Sequence, residues 1–254
     1  MEPGFDDVVS ALRAAGCVFA EDEAEILVES ASNPAELAEL LGRRIAGEPL
    51  EHVVGWVWFC GRRIAVEPGV FVPRRRTEFL VECAAALHPS TLLDLCCGSG
   101  AIGLSVPGIS ELHAADVDAV AVECAERNLD AVGGTVHCGD LFDALPPELH
   151  GRFDAIVVNA PYVPTGEIEL MPREARLHEP HIALDGGVDG ARLHRRVAAQ
   201  AHQWLAPRGS LLIETSALLA NSTFEAIRDA GFAASIRESE TFDAVVVIGS
   251  ASEW

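Results

Sequence analysis

The chain predicts an α/β fold: one seven-stranded, largely parallel sheet with helices on both faces, preceded by a small helical bundle and a linking β-hairpin. Three observations predict it. From residue 91 onward, short apolar and β-branched runs alternate with segments whose apolar residues recur at helical spacing. The first 47 or so residues show helical spacing alone, and between the two regions aromatic and β-branched runs flank a glycine turn.

In order, Val8, Val9 and Leu12, then Ala24, Ile26 and Leu27, then Leu37, Leu40, Leu41 and Ile45 mark three short helices, separated by Gly16 and by Ser32-Asn33-Pro34. Asn33 caps the third, with Pro34 at its first position. Glu21, Asp22 and Glu23 fit a solvated first turn favoured by the helix dipole. This bundle is assigned to residues 1–50. Residues 51–73 form the linker: runs 52–59 and 63–66 flank Cys60-Gly61-Arg62 as a hairpin that Pro68-Gly69 ends. The remaining domain, 74–254, opens with a helix over 77–87 capped by Thr77. Strands follow near 91–95, 111–115, 135–138, 153–158, 210–214, 232–237 and 243–248, with helices near 101–106, 119–132, 190–205 and 217–230. A short turn joins the last two strands, so that pair is expected to be antiparallel.

The 254 residues, 49% hydrophobic, suffice for one α/β domain plus an accessory one. A formal net charge of −21 repels phosphate backbones. Every basic side chain is arginine, and the one tight cluster is Arg74-Arg75-Arg76, so nucleic acid is not expected as the main partner. No apolar run approaches the roughly 18 residues of a membrane span, and no basic-then-apolar leader opens the chain. It reads as cytoplasmic, without a membrane partner. Seven cysteines without a C-x-x-C spacing read as reduced core thiols. His178 and His181 flank Pro180, which disfavours a helical ligand pair, and no metal is expected.

Residues 92–103 read as a strand, a glycine turn and a helix start. Gly98 and Gly100 let a ligand approach the backbone, and the helix start offers free N–H groups. Gly98-Ser99-Gly100-Ala101-Ile102-Gly103 matches G-x-G-x-x-G, so a dinucleotide oxidoreductase is one alternative and a ligand-free turn another. Three acids at successive strand ends favour S-adenosylmethionine. Asp94 is placed to order the turn Cys96-Cys97-Gly98-Ser99-Gly100 and to reach the cationic amino-acid end of the cofactor. Asp116, followed by Val117, is placed for the ribose hydroxyls, and Asp140 for the adenine amino group with Leu141 against the ring. Asp118, Asp130 and Asp143 read as surface carboxylates.

The apolar run 153–158 reads as a buried strand. At its C-terminal end Asn159-Ala160-Pro161-Tyr162 sits over the crevice where open α/β sheets bind ligands, placed to hold a substrate nitrogen. An ordinary turn is the alternative. Residues 163–189, almost without periodicity, read as a substrate-facing loop.

Taken together, Asp94-Leu95-Cys96-Cys97-Gly98-Ser99-Gly100-Ala101, Asp140-Leu141-Phe142 and Asn159-Ala160-Pro161-Tyr162 resemble the N(5)-glutamine methyltransferases that modify release factors and ribosomal proteins. Pro49-Leu50-Glu51-His52-Val53-Val54-Gly55, Val70-Phe71-Val72-Pro73-Arg74 with Thr77-Glu78, and the segment 179–190 are similar to that family's hairpin, linker and post-strand loop. The resemblance implies a seven-stranded Rossmann-like methyltransferase fold with an N-terminal helical domain. It implies S-adenosylmethionine as donor and a glutamine amide of a protein substrate, a release factor or similar translation protein, as acceptor. It also implies that Asn159, Ala160, Pro161 and Tyr162 hold that amide, with Asn159 also beside the donor and Arg74 and Glu179 on the substrate side. The chain departs from the family at Ala160, where the motif has proline, at Arg75-Arg76, where Pro-Glu is usual, at Thr215-Ser216 after Glu214, and at Cys96, where a glycine is usual outside the ribosomal-protein branch. These departures mark a divergent paralogue.

An amide nitrogen is a poor nucleophile because its lone pair is delocalised. The Asn159 side-chain oxygen and the Ala160 carbonyl can each accept one substrate N–H, while Tyr162 packs on the flat face. Alternatives are methylation of an exocyclic amine in a nucleobase or small molecule, and a non-catalytic cofactor-binding protein.

Overall fold

The computed structural model describes residues 4–251. Four helices build the N-terminal region: α1 (Phe5–Ala14), α2 (Ala20–Ser30), α3 (Pro34–Ile45) and α4 (Leu50–Val54). Val8, Leu12, Ala24, Leu27, Leu37 and Val53 share an apolar cluster separate from the main core. As the sequence requires, Asn33 Oδ1 accepts from the N–H groups of Ala35 and Glu36 at 3.0 Å. Glu23 departs from the solvated reading. It accepts from Arg44 of α3 at 2.7 Å, and both side chains are largely covered.

Helix α4 is also a correction, since residues 52–54 were expected to be extended. One helical turn buries His52, whose Nε2 lies 2.9 Å from the Val70 carbonyl, and Gly55 at φ +82° ends it. The hairpin begins later, as β1 (Trp56–Phe59) and β2 (Arg62–Ala65), turning through Cys60 and Gly61 at positive φ. Its Phe59 and Ile64 enter the main core.

Helix α5 (Glu78–Ala85) follows a 3₁₀ turn over Arg75–Thr77. Thr77 does not cap it: the residue has helical φ and ψ, and its hydroxyl is engaged elsewhere. The large sheet comprises β3 (Thr91–Leu95), β4 (Glu111–Asp116), β5 (Thr135–Cys138), β6 (Phe153–Val158), β7 (Leu205–Thr215), β8 (Ala233–Ser239) and β9 (Ala244–Ser250). Its order is β5-β4-β3-β6-β7-β9-β8, with the first five strands parallel and β9 antiparallel to both neighbours.

The remaining helices are α6 (Ala101–Ser105), α7 (Ala119–Leu129), α8 (Arg173–His178), α9 (Arg192–Ala201) and α10 (Ala220–Asp229). Side-chain alternation along the strands feeds two apolar layers. Leu92, Ala114 and Val157 pack with α5, α6 and α7, whereas Leu93, Ile156 and Ile213 pack with α9 and α10. Residues 163–189 are more ordered than expected, carrying α8 and two 3₁₀ turns. Gly186 N–H donates to the Val163 carbonyl at 2.8 Å, tying the ends together. Elements of three to six residues are too short to leave a periodic signal. Among the described residues no helix is long and apolar enough to cross a membrane.

Candidate active site

Strand β3 has β4 on one side and β6 on the other, so the winding of the sheet reverses between β3 and β6. Ligand crevices open at the carboxyl ends of strands at such a point. A cavity of about 670 Å³ lies there, walled by the turn after β3, Asp116 at the end of β4, Asp140 and Leu141 after β5, and the tetrapeptide after β6.

The turn is held from both sides. Asp94 points to the α6 face, fully buried, and its Oδ2 accepts from Gly103 N–H at 2.8 Å. Burial pushes its carboxyl up to about 7. Asp94 thus orders the turn but does not wall the cavity, which corrects its expected reach toward the ligand. Alternation along β3 turns it beneath α6, and Gly103 leaves it room: a Cβ there would stand 3.0 Å from Leu112 Cδ1 and 3.3 Å from Asp94 Cβ. Cys96, at φ +61°, lines the cavity, and the buried Cys97 donates its N–H to the Ala115 carbonyl at 3.1 Å. Gly98, at φ +54°, donates its N–H to Asp116 Oδ2 at 2.9 Å, and Asp118 N–H donates to Asp116 Oδ1 at 3.0 Å.

Burial nonetheless raises the Asp116 pKa, outweighing those two donors. Asp118, expected as a surface group, caps α7 by accepting from Val120 N–H at 3.0 Å. Asp140 lines the cavity with both oxygens facing Arg196 of α9 at 2.8 and 3.1 Å, and Leu141 is buried at φ +52°.

These walls fit an adenosyl cofactor. Ser99 Oγ is a buried hydroxyl on the turn without a hydrogen-bond partner, and each Asp116 oxygen, engaged by one N–H, retains acceptor capacity. Val117, Ile102 and Leu141 supply apolar surface, and the volume is that of a small-molecule site.

Across the cavity, Asn159 Nδ2 donates to Thr77 Oγ1 at 3.3 Å. Ala160 is buried, Pro161 is on the wall, and the Tyr162 ring has the Arg76 guanidinium 5.9 Å from its centre. Burial raises the pKa of the Tyr162 hydroxyl. The loop closes on this backbone through glycines, since a Cβ on Gly190 would lie 2.5 Å from the Tyr162 carbonyl oxygen. Arg76 and Thr77 line the cavity, and the buried Glu214 near the end of β7 stands 3.5 Å from the Arg76 Nε; sequence reasoning gave none of the three a place in the site. The readable signal was a glutamate closing the apolar run 211–213. Arg74 and Glu179, expected to bind substrate, pair with each other and border a second cavity of about 610 Å³ against α2 and α8. Burial raises the pKa of Glu179, against the lowering effect of Arg74.

Fold and site together define an S-adenosylmethionine-dependent methyltransferase. The Methyltransferase small domain family model matches residues 61–185. A methyltransferase structure from Pyrococcus furiosus superposes with a TM-score of 0.58 at 16% identity, covering 75% of this chain and 89% of that one. A release factor glutamine methyltransferase of Geobacter sulfurreducens is 39% identical over 72% of this chain and 66% of its own length. Another from Bifidobacterium longum is 32% identical over 91% and 87%. The chain belongs to the release factor glutamine methyltransferase family. A 4-amino-L-phenylalanine/4-methylamino-L-phenylalanine methyltransferase of Streptomyces pristinaespiralis is 34% identical over 71% of this chain and 65% of its own.

Proposed function

We propose that this chain methylates the side-chain amide nitrogen of a glutamine in a peptide chain release factor. The observation that carries the reading is the Asn159 carboxamide: its nitrogen is engaged by Thr77, which leaves Oδ1 as the end available to the cavity. Family membership supports the acceptor class.

S-adenosylmethionine supplies an electrophilic methyl group on its sulfonium. The turn from Cys96 to Gly100, Asp116, Val117, Asp140 and Leu141 would hold it. Asn159 Oδ1 and the Ala160 carbonyl accept the two N–H groups of the acceptor amide and set its plane, and Tyr162 covers its face. Ala160 precedes Pro161 and so stays biased to extended backbone, which keeps its carbonyl direction fixed without the family's proline. Fixing both partners can supply roughly 7–11 kcal/mol of rate enhancement, and the nitrogen's proton can leave to solvent after transfer. The reading includes a cytoplasmic location, where translation runs, and a division into a helical bundle (1–50), hairpin linker (51–73) and methyltransferase domain (74–254).

A second acceptor class, an exocyclic amine of a small molecule, is favoured by the relative named for methylating 4-amino-L-phenylalanine. Incubation with labelled S-adenosylmethionine, with either a purified release factor or 4-aminophenylalanine, separates the two. Labelled glutamine in the release factor supports the first reading, and label in the amino acid alone replaces it with the second.

A further inference from the structure

Glu214 takes no direct part in the chemistry above, yet it is placed behind both halves of the acceptor site. It is 1% exposed, and neither carboxylate oxygen has a hydrogen-bond partner among the described residues. Its nearest charge is Arg76, whose Nε lies 3.5 Å from Oε1 and whose guanidinium reaches over the Tyr162 ring. The next residue, Thr77, is 2% exposed and receives the Asn159 amide hydrogen on its hydroxyl oxygen at 3.3 Å.

A carboxamide has two ends of almost equal shape and opposite polarity. Asn159 serves an acceptor N–H only if Oδ1 faces the cavity, and that holds only while Thr77 accepts rather than donates toward Asn159. The Thr77 proton must then go elsewhere, and at 2% exposure the hydroxyl has little solvent to give it to. An ionised carboxylate can only accept, so Glu214 fits that role.

We propose that Glu214 is a positioning residue that sets the polarity of the acceptor site, drawing the Thr77 hydroxyl proton so that Asn159 presents its oxygen to the substrate nitrogen, and holding Arg76 over Tyr162. This rests on the proposed amide-methylating reaction. Burial raises the Glu214 pKa, and Thr77 and Arg76 are the groups that oppose the rise, consistent with their contact. Position 76 is arginine, so the buried carboxylate meets a cation here. Glutamine at 214 would present a donor as well as an acceptor to Thr77 and so remove the polarity while keeping the shape.

The test is a double-mutant cycle with Glu214→Gln and Thr77→Val, plus Thr77→Ser, measuring kcat and acceptor KM, S-adenosylhomocysteine affinity by calorimetry, and melting temperature. Each of the first two variants is expected to lower kcat by about 10²-fold, the scale of a misplaced reactant, with ligand affinity within about threefold of wild type. The double variant is expected to lose no more than the worse single one, because both act on the same proposed property, the direction in which the Thr77 hydroxyl faces Asn159. Thr77→Ser should retain most of the turnover. Wild-type kcat in Glu214→Gln, multiplicative losses in the double variant, or ligand affinity falling in step with kcat would each overturn the proposal. Wild-type turnover bears on the reaction alone, and the variants are read as ratios on whichever acceptor, release factor or arylamine, the wild type methylates.

Discussion

Replacing Asn159 with alanine separates the acceptor half of the site from the donor half. The side chain lines the cavity and donates to Thr77 at 3.3 Å, and the proposed role gives its Oδ1 to the acceptor. Its removal leaves one substrate N–H unpaired in a largely enclosed place, a cost of about 1–3 kcal/mol, or roughly 5- to 150-fold in rate. Loss of the fixed amide plane adds up to about 10²-fold, since the Ala160 carbonyl alone cannot set it. Acceptor kcat/KM should therefore fall by between about 5-fold and about 10⁴-fold. The proposed donor walls, Cys96 to Ser99 with Asp116 and Asp140, are untouched, so S-adenosylhomocysteine affinity should stay within about threefold, and losing one ordinary hydrogen bond should lower the melting temperature by only a few degrees. Labelled-methyl transfer to a purified release factor and titration calorimetry measure the two halves separately. Equal losses of turnover and ligand affinity would refute the division of labour, and full turnover would remove Asn159 from the acceptor site.

Asp116→Ala should weaken S-adenosylhomocysteine binding by about tenfold or more, because it removes acceptor capacity at the cavity and frees the Gly98 and Asp118 N–H groups; unchanged calorimetric affinity would remove it from the donor site. Gly103→Ala should destabilise the fold by about 1–3 kcal/mol, since the new methyl meets Leu112 and Asp94, and a denaturant midpoint equal to wild type would contradict that packing. Asp94 has a carboxyl raised from 3.8 to about 7, so its contribution to stability is complete below about 3.8 and is lost as pH rises toward about 7. Asp94→Asn, free of that titration, should gain on wild type by roughly 3 kcal/mol between pH 5 and pH 8, read from urea midpoints at the two pH values; a constant difference would show that Asp94 ionises normally.

The strand series was legible because each strand is a short β-branched or apolar run bounded by turn residues, and six of the seven strands of the large sheet begin within a residue of where the sequence places them. The exception is β7, which starts at Leu205, five residues before the expected 210. Pro207 and Gly209 read as turn residues, whereas they sit in an irregularity at which the pairing moves from Phe153–Leu205 to Ala155–Ser210. A Cβ on Gly209 would stand 2.7 Å from the Phe153 carbonyl oxygen, so the glycine permits the close approach. Residues 52–54 failed for a related reason: a one-turn helix of apolar and histidine residues has the composition of a strand, and burial of His52 against Val70 decides between them.

The sequence by itself determined the order of elements, the glycine turn, the acids that follow the strands and the tetrapeptide at the end of β6, because these features are local and their chemistry is written in adjacent residues. Tertiary structure alone decided which of them meet. Alternation along β3 put Asp94 under α6 instead of on the cavity wall, and the pairing of Arg74 with Glu179 drew both to the second cavity. The Thr77 hydroxyl, a helix cap by local rules, is claimed by Asn159 across 82 residues, and the neighbouring Arg76 meets Glu214 from the far end of β7. Contacts of that separation are fixed by how the sheet is wound and by the burial that leaves a polar group one partner, and neither is a property of any short stretch of chain.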